Sequence, residues 1–176
     1  MPITPQIRRY RAEDVDATYE AVVDSKAELA PWMPWCHDAY SKQDTQTWVE
    51  ARGPAWDRNE DWSFVIVDAG DRILGGAGLH RLDLRNGVAE LGYWVRTSAT
   101  RQGVARSAVR QLCQWAFEEK GLRRLEILSS VENIPSQQVA LGIGFVREAV
   151  LRERIVLHER PHDCVLFSQL KSECQN

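Results

Sequence analysis

Two kinds of hydrophobic pattern alternate along this chain, one with a period of two and one with the spacing of an α-helix. The period of two is clearest at residues 88–95, where the apolar set comprises Ala89, Leu91, Tyr93 and Val95. Such alternation predicts a strand with one buried face. Helical spacing follows at Ala105, Ala108, Val109, Leu112 and Ala116. Gly121 then stands where a helix stop is expected, so the centre of the chain is a strand, a short loop and a helix.

The same patterns predict the remaining elements and their order. Strands are expected at residues 3–10, 62–67, 73–82, 124–130, 145–157 and 163–170, and further helices from 11, 42 and 133. Gly53-Pro54 is expected to interrupt the helix that begins at 42, and Asn86-Gly87 predicts a type I′ hairpin turn. The three strands at 62–67, 73–82 and 88–95 then form an antiparallel meander, and the strand–helix–strand passage after them predicts a parallel pair with a right-handed crossover.

Composition narrows the class of protein without changing this picture. The 176 residues suit one domain, expected to span 1–176 with a polar tail at 171–176. A net charge of −3 argues against direct binding of nucleic acid, and no apolar run is long enough to cross a membrane. The start has no secretory signal, and four scattered cysteines without a CxxC pair indicate reduced thiols in a cytoplasm. His158 and His162 are separated by Pro161, so no metal site is expected.

Residues 100–106, called the basic loop below, have the features of an anion site. The first amides of a helix have no partner within the helix, and the helix dipole adds about half a positive charge there. Arg101 and Arg106 add full charges, and Gly103 allows the backbone to approach a ligand. The patterns GxxxxGK[ST] and GxGxxG are absent, which excludes the common nucleotide-binding loops. On this stretch alone, an ordinary strand-to-helix loop remains an alternative.

Residues 29–35, Leu-Ala-Pro-Trp-Met-Pro-Trp, are called the tryptophan segment below. Two prolines exclude a regular helix here, so Trp32, Met33 and Trp35 form an apolar loop. Such a loop can serve as the wall or lid of a ligand pocket, or its side chains can simply fill the core.

Three motifs in the right order resemble those of a known family. They are the strand VAELGYWV, the loop RQGVA at a helix start, and the stretch NIPSQQVALGIGF. Together they resemble the acyl-CoA-binding core of the GNAT superfamily of N-acetyltransferases, and most of all its RimJ/RimL-type ribosomal-protein branch. The tryptophan segment is similar to a segment that this branch carries near its acceptor site.

The resemblance implies a fold and a cosubstrate. The fold is a mixed α/β domain, in which a mostly antiparallel twisted sheet has a splayed parallel pair and helices on both faces. The cosubstrate is acetyl-CoA, used without a metal, and its pantetheine arm pairs with backbone around Val95 and Thr97. The phosphates fall on the motif Q/R-x-x-G-x-G/A, with Thr100 where the family has Gln or Arg. The contacts implied in the basic loop are Arg101, Gln102, Gly103, Val104, Ala105 and Arg106.

The resemblance also implies roles at the start of the last helix. Asn133 is expected to hydrogen-bond the cofactor, and Ser136 to lie near the thioester sulfur as a proton donor to the leaving thiolate. The residues themselves leave simpler alternatives open. Asn133 suits a helix cap, and Ser136 suits a polar position in a first helical turn.

Glu90 is the expected base that removes the proton of the attacking amine. It lies on the face of the central strand that also carries Trp94, and a carboxylate among aromatic surfaces has a raised pKa. A solvated or merely orienting Glu90 is the alternative, with Glu148 and Glu153 as reserve candidates for the base. Trp32, Trp35 and Trp94 are expected on the acceptor side.

These expectations favour an acetyl-CoA-dependent N-acetyltransferase that acts on a protein N-terminal α-amine. The alternatives are acetylation of a small amine, such as a polyamine, antibiotic or amino acid, and a non-catalytic acyl-CoA-binding module. A monomer and a homodimer are both compatible with the sequence.

Overall fold

The computed structural model describes residues 4–174. Its strands are β1 (Gln6–Arg9), β2 (Trp62–Val67), β3 (Ile73–Asp83), β4 (Val88–Val95), β5 (Arg124–Ser130), β6 (Val146–Leu157) and β7 (Arg160–Leu170). Its α-helices are α1 (Val15–Val23), α2 (Lys26–Leu29), α3 (Lys42–Asp57), α4 (Val104–Glu118) and α5 (Ile134–Leu141). Ile3, where the first strand was expected to begin, lies outside the described residues, as does the end of the expected polar tail at 175–176.

The strands form one seven-stranded sheet in the order β1-β2-β3-β4-β5-β7-β6. Neighbouring strands are antiparallel except β4 and β5, which run parallel on either side of the crossover through α4. The predicted meander, parallel pair and closing hairpin are therefore confirmed.

Helices cover both faces of this sheet, as expected. Alternate residues of β2 and β3 separate into two clusters, because successive strand side chains point to opposite faces. On one face Val65, Val67 and Ile73 pack with Ala21 of α1. On the other, the main core joins the sheet to α4 through Ala108, Val109, Leu112, Cys113, Ala116 and Phe117. Four residues of the predicted helical set belong to the buried stripe of α4, whereas Ala105 is only partly buried.

The predicted interruption at Gly53-Pro54 is wrong, because α3 continues through Pro54 to Asp57. Ser41 caps the start of the helix, and its side chain accepts a hydrogen bond from the Asp44 N–H. Beyond Pro54, Trp56 is only 8% exposed and packs into the main core. Burial of an apolar face contributes more to helix stability than local propensity does, so the helix persists through its proline.

The predicted type I′ turn at Asn86-Gly87 is also wrong, although the hairpin itself is present. A type I′ turn needs a positive φ at both central residues, and here Gly87 has φ 64° whereas Asn86 is not among the residues with positive φ. Asp83 pairs with Val88 across a four-residue loop. The Asp83 carboxylate accepts hydrogen bonds from the Asn86 N–H at 3.0 Å and from its side-chain amide at 2.6 Å, which stabilises the longer loop.

All four cysteines are free thiols in the structure. Within residues 4–174, every helix is too short or too polar to span a bilayer.

Candidate active site

The parallel pair at the centre of the sheet opens into a V. β4 pairs with β5 over three residue pairs, from Val88↔Arg124 to Glu90↔Glu126. β5 instead pairs along its whole length with β7, from Arg124↔Leu170 to Ser130↔Cys164. From Leu91 onward, the edge of β4 that would face β5 is therefore free for another extended group. The expected splay of the parallel pair is confirmed.

The basic loop presents unpaired backbone donors to one side. Within the described part of the chain, the N–H groups of residues 101–106 have no hydrogen-bond partner outside a helix. Arg101 (φ 59°) and Gly103 (φ 79°) adopt the left-handed conformation, and Gly103 is the N-cap of α4. A Cβ added to Gly103 would meet no atom within 4 Å. A helix start with free amides and open space above its glycine suits a phosphate group.

Two polar side chains of the basic loop bond to carbonyl groups elsewhere in the chain, unlike the free backbone amides of the loop. Gln102 turns back and donates to the Ser98 carbonyl at 2.9 Å. Arg106 donates to the Gln138 carbonyl in α5 at 3.4 Å, and its guanidinium lies against the bare Cα of Gly142. The structure therefore places Arg106 between α4 and α5, with its backbone N–H at the loop.

Of the two backbone positions expected to pair with pantetheine, one has a free edge. Val95 pairs with Gly75 on β3 and lies where β5 has diverged. The Thr97 N–H instead donates to the buried Ser25 hydroxyl at 2.9 Å. Ser25 was not apparent from the sequence, because it lies 72 residues away and meets Thr97 only in the folded chain.

Asn133 and Ser136 lie together at the start of α5. The Asn133 side chain accepts a hydrogen bond from the Ser136 N–H at 3.1 Å and so caps the helix. The Ser136 hydroxyl lies 3.1 Å from the Tyr93 hydroxyl, which also contacts the Ser136 carbonyl at 3.2 Å. Burial raises the pKa of Tyr93, so this phenol stays protonated and can donate. The sequence analysis placed Tyr93 on the apolar face of β4 and missed its polar end.

A groove of about 950 Å³ joins these residues to the tryptophan segment. Its lining includes Ser136 and Asn133 at the V and Trp32, Trp35 and Trp94 farther along. The rings of Trp35 and Trp94 meet edge-on with centroids 6.1 Å apart.

The tryptophan segment is partly core and partly wall. Met33 packs on a small cluster formed by Val22, Leu29 and Cys36. Trp35, by contrast, is 40% exposed, and it contributes its ring to the groove. Met33 lines the groove as well, so the segment contributes both to the core and to the groove lining.

Glu90 lines the groove on the same face of β4 as Trp94, as expected. Its nearest ionisable neighbours are basic: Arg81 Nη1 lies 3.3 Å and His80 Nε2 lies 3.8 Å from its carboxylate oxygens. These three residues are called the Glu90 cluster below. The sequence analysis missed His80 and Arg81, although His80 stands in a strand pattern directly before a predicted hairpin.

The reserve candidates for the base lie elsewhere. Glu148 is bound by both terminal nitrogens of Arg124 and by the Ser168 hydroxyl, and these bonds hold its pKa at about 2. A carboxylate with so low a pKa is a poor base at neutral pH. Glu153 is exposed on a bulge of β6, where its N–H donates to Asp163.

A family model described as "Acetyltransferase (GNAT) domain" matches residues 6–146. The chain belongs to this family. It is therefore a GNAT N-acetyltransferase family enzyme, and the family resemblance noted in the sequence is confirmed.

Individual relatives of this GNAT enzyme are more distant. YdaF of Bacillus subtilis (strain 168), named provisionally as a ribosomal N-acetyltransferase, is 30% identical over 95% of this chain and 91% of its own length. The ribosomal-protein-serine acetyltransferase of Escherichia coli (strain K12) is 28% identical over 89% of this chain and 87% of its own. The solved structure of RimL, a ribosomal L7/L12 alpha-N-protein acetyltransferase in complex with coenzyme A, superposes with a TM-score of 0.88 at 22% identity, covering 95% of this chain and 94% of that one. At that identity the last similarity concerns the fold.

Proposed function

We propose that this GNAT enzyme transfers the acetyl group of acetyl-CoA to a primary amine, and that its favoured acceptor is the α-amine of a protein N-terminus. The observation that carries the proposal is the continuous groove from the V between β4 and β5 to the aromatic wall of the tryptophan segment. Such a groove can hold a thioester at one end and an extended acceptor at the other. The names of the E. coli and B. subtilis relatives support a ribosomal-protein acceptor.

The residues at the V and the basic loop suit acetyl-CoA. Bound there, it would supply the acetyl group as an activated thioester. The free amides of residues 101–106 would hold its phosphates, with Arg101 adding positive charge. The free edge of β4 at Val95 would bind the pantetheine amides as an additional strand would. Asn133 would add an amide donor, since its carbonyl oxygen already caps α5.

Ser136 is proposed to return a proton to the leaving sulfur, with Tyr93 as its partner. The phenol and the serine hydroxyl are within hydrogen-bond distance, and burial keeps the phenol protonated. Tyr93 can therefore hold the serine hydroxyl in one orientation, and the excess proton of the acceptor nitrogen replaces the one that the serine gives to the sulfur.

Glu90 is proposed to carry the base function that frees the acceptor's lone pair, directly or through a neighbouring group or water. Its carboxylate is only 20% exposed and faces the groove. The exposed Trp35 ring and its neighbour Trp94 would contact the first residues of the acceptor.

A thiol-release assay with wild-type protein tests this function. Peptides that begin with the N-terminal sequences of ribosomal proteins and a panel of small amines would be compared at equal amine concentration, with N-terminally blocked peptides as the control. We expect release of CoA with unblocked peptides at kcat/KM at least about tenfold above that for any small amine. Preferred turnover of a small amine would overturn the acceptor assignment. Absence of release with every amine would overturn the transferase assignment for these acceptors.

A further inference from the structure

The register of the sheet places His80 next to the carboxylate of Glu90. The two residues are direct partners in the β3–β4 ladder. The imidazole lies over the bare backbone of Gly92, where an added Cβ would come within 2.8 Å of its Cε1 atom. A side chain at position 92 would therefore displace the ring. The absence of one lets His80 lie beside Glu90, and both line the groove.

A bulge next to His80 brings a second basic side chain to the same carboxylate. The pairing His80↔Glu90 is followed by Asp83↔Val88, so β3 has one more residue than β4 between these pairs. The extra residue is accommodated at Arg81, which has a positive φ of 49°. In a regular strand, neighbours 80 and 81 would point to opposite faces. The bulge instead allows both to reach Glu90, and bulges commonly re-aim side chains next to active sites.

The surroundings favour a neutral imidazole that can accept a proton. Partial burial lowers the pKa of His80 below its ordinary value of 6.5, an effect that the charge of Glu90 opposes and that of Arg81 reinforces. Asp61, from the loop before β2, also raises this pKa, and Arg154 of β6 lines the same groove. At pH 7 such a histidine is largely deprotonated, whereas Glu90 stays paired with Arg81.

We propose that His80 is the catalytic base of this enzyme and that Glu90 acts on it as a positioning residue; this rests on the proposed acetyl transfer. His80 takes a proton from the ammonium group of the acceptor. The nitrogen lone pair can then form the bond to the acetyl carbon while the C–S bond breaks. After the bond has formed, the nitrogen still carries one excess proton, which offsets the proton that the sulfur receives. His80 releases to solvent the proton that it took from the ammonium group. Glu90 stabilises the imidazolium, and Arg81 holds the Glu90 carboxylate in place.

The first test measures the titration of His80 within the Glu90 cluster in the absence of catalysis. The His80 ring protons would be followed by NMR from pH 4.5 to 9 in the free protein, with His80→Gln for assignment. Because the carboxylate favours the imidazolium, Glu90→Gln should lower the pKa of His80; because the guanidinium opposes it, Arg81→Gln should raise it. His162→Gln, on β7 and outside the groove lining, is the control that should leave the His80 titration unchanged. A titration insensitive to Glu90→Gln would overturn the pairing.

The second test separates His80 from Glu90 in catalysis. His80→Gln should lower kcat about a hundredfold or more, with unchanged binding of acetyl-CoA, and should remove the rise of rate with pH below about 6.5. Glu90→Gln should keep that rise but move it to lower pH. Added imidazole should restore part of the rate of His80→Ala, and more basic methylimidazoles should restore more.

The outcomes distinguish the two proposals. A wild-type rate with an unchanged pH profile in His80→Gln would overturn the role of His80. Loss of the pH dependence in Glu90→Gln, with its retention in His80→Gln, would assign the base to Glu90 itself. No thiol release by the wild-type protein would overturn the proposed function, and the base role with it, whatever the NMR titration shows.

Discussion

The two ends of the proposed active site are built from different parts of the polypeptide. The basic loop offers backbone: consecutive free amides, two left-handed residues and the start of α4, all within residues 101–106. The tryptophan segment, which follows α2, and the Glu90 cluster on β3 and β4 offer side chains. Backbone donors bind phosphate whatever the neighbouring side chains are, whereas an acceptor is selected by side chains. One end therefore suits a constant cosubstrate, and the other suits a variable acceptor.

The largest effect in this comparison is expected from Glu90→Gln, at the acceptor end, and it should resemble that of His80→Gln. This substitution keeps the size of the side chain and removes the charge that positions His80 and stabilises its imidazolium, so kcat should fall about a hundredfold or more while acetyl-CoA binding is unchanged. Steady-state kinetics with a saturating cosubstrate measures it. Glu153→Gln, an exposed glutamate on β6, is the matched control. A larger loss of kcat in Glu153→Gln than in Glu90→Gln would assign the base function to the hairpin of β6 and β7.

The second-largest effect is expected from a substitution in the basic loop. The experiment compares the same substitution at two glycines. Gly103 (φ 79°) and Gly121 (φ 65°) both have positive φ and open space at Cβ, so valine should destabilise the protein alike at each, by about 1–2 kcal/mol or somewhat more. In the wild type, acetyl-CoA at a hundredfold excess over its Kd should stabilise by about 2.7 kcal/mol, a rise of several degrees in Tm. Gly103→Val should lose most of this rise, and Gly121→Val should keep it.

Thermal melts with and without acetyl-CoA measure both variants. An undiminished rise in Gly103→Val would remove the basic loop from the binding site. Equal loss in both variants would show that the effect comes from backbone strain and not from the loop.

A smaller effect is expected from Trp35→Ala in the tryptophan segment. Trp35 is 40% exposed and faces the groove, so its removal should raise the acceptor's KM about tenfold, or about 1.4 kcal/mol, with little change in Tm or in acetyl-CoA binding. Trp62→Ala is the contrast, because Trp62 is 2% exposed and its loss should cost about 3–5 kcal/mol of stability. A comparable loss of stability in Trp35→Ala would mean that this ring fills the core.

Tyr93→Phe should have a modest effect where the two ends meet. It removes the hydroxyl that contacts both the Ser136 hydroxyl and the Ser136 carbonyl, so kcat should fall about fivefold, which corresponds to about 1 kcal/mol. Combined with Ser136→Ala, the effects should be less than additive because both act on one proton. Strict additivity in the double-mutant cycle would show that Tyr93 and Ser136 act independently.

The smallest effect is a pH dependence of stability at Glu148, away from the groove. Arg124 and Ser168 hold the folded-state pKa of Glu148 at about 2, below the ordinary 4.5. A lowered folded pKa stabilises the protein above about pH 4.5, and the contribution disappears as the pH falls towards 2. Glu148→Gln should therefore lower Tm slightly at pH 7, with the difference from wild type shrinking in acid. A difference that persists at the lowest pH would point to packing and not to ionisation.

Local patterns in the sequence determined the framework of this enzyme. The alternation in β4, the buried stripe of α4 and the glycine between them are short-range features, and each leads directly to one conformation because few backbones satisfy it. Together with the same kinds of pattern elsewhere in the chain, they sufficed to predict the sheet, the parallel pair and the position of the basic loop. The family was inferred from the resemblance of the motifs VAELGYWV, RQGVA and NIPSQQVALGIGF. Where local signals misled, at Pro54 and at Asn86-Gly87, burial of Trp56 and hydrogen bonds from Asn86 to the Asp83 carboxylate prevailed over the propensity of two adjacent residues.

The tertiary structure alone decided which groups meet at and around the candidate site. Tyr93 reaches Ser136 across 43 residues, and the Thr97 N–H is taken by Ser25 across 72. His80 and Arg81 join Glu90 only because one bulge shifts the register of β3 against β4. A bulge depends on how two strands pair and has no fixed local signature, and a one-residue change in register reverses the face to which a side chain points. The chemistry of the acceptor end is therefore set by strand pairing, which becomes definite only when the sheet has formed.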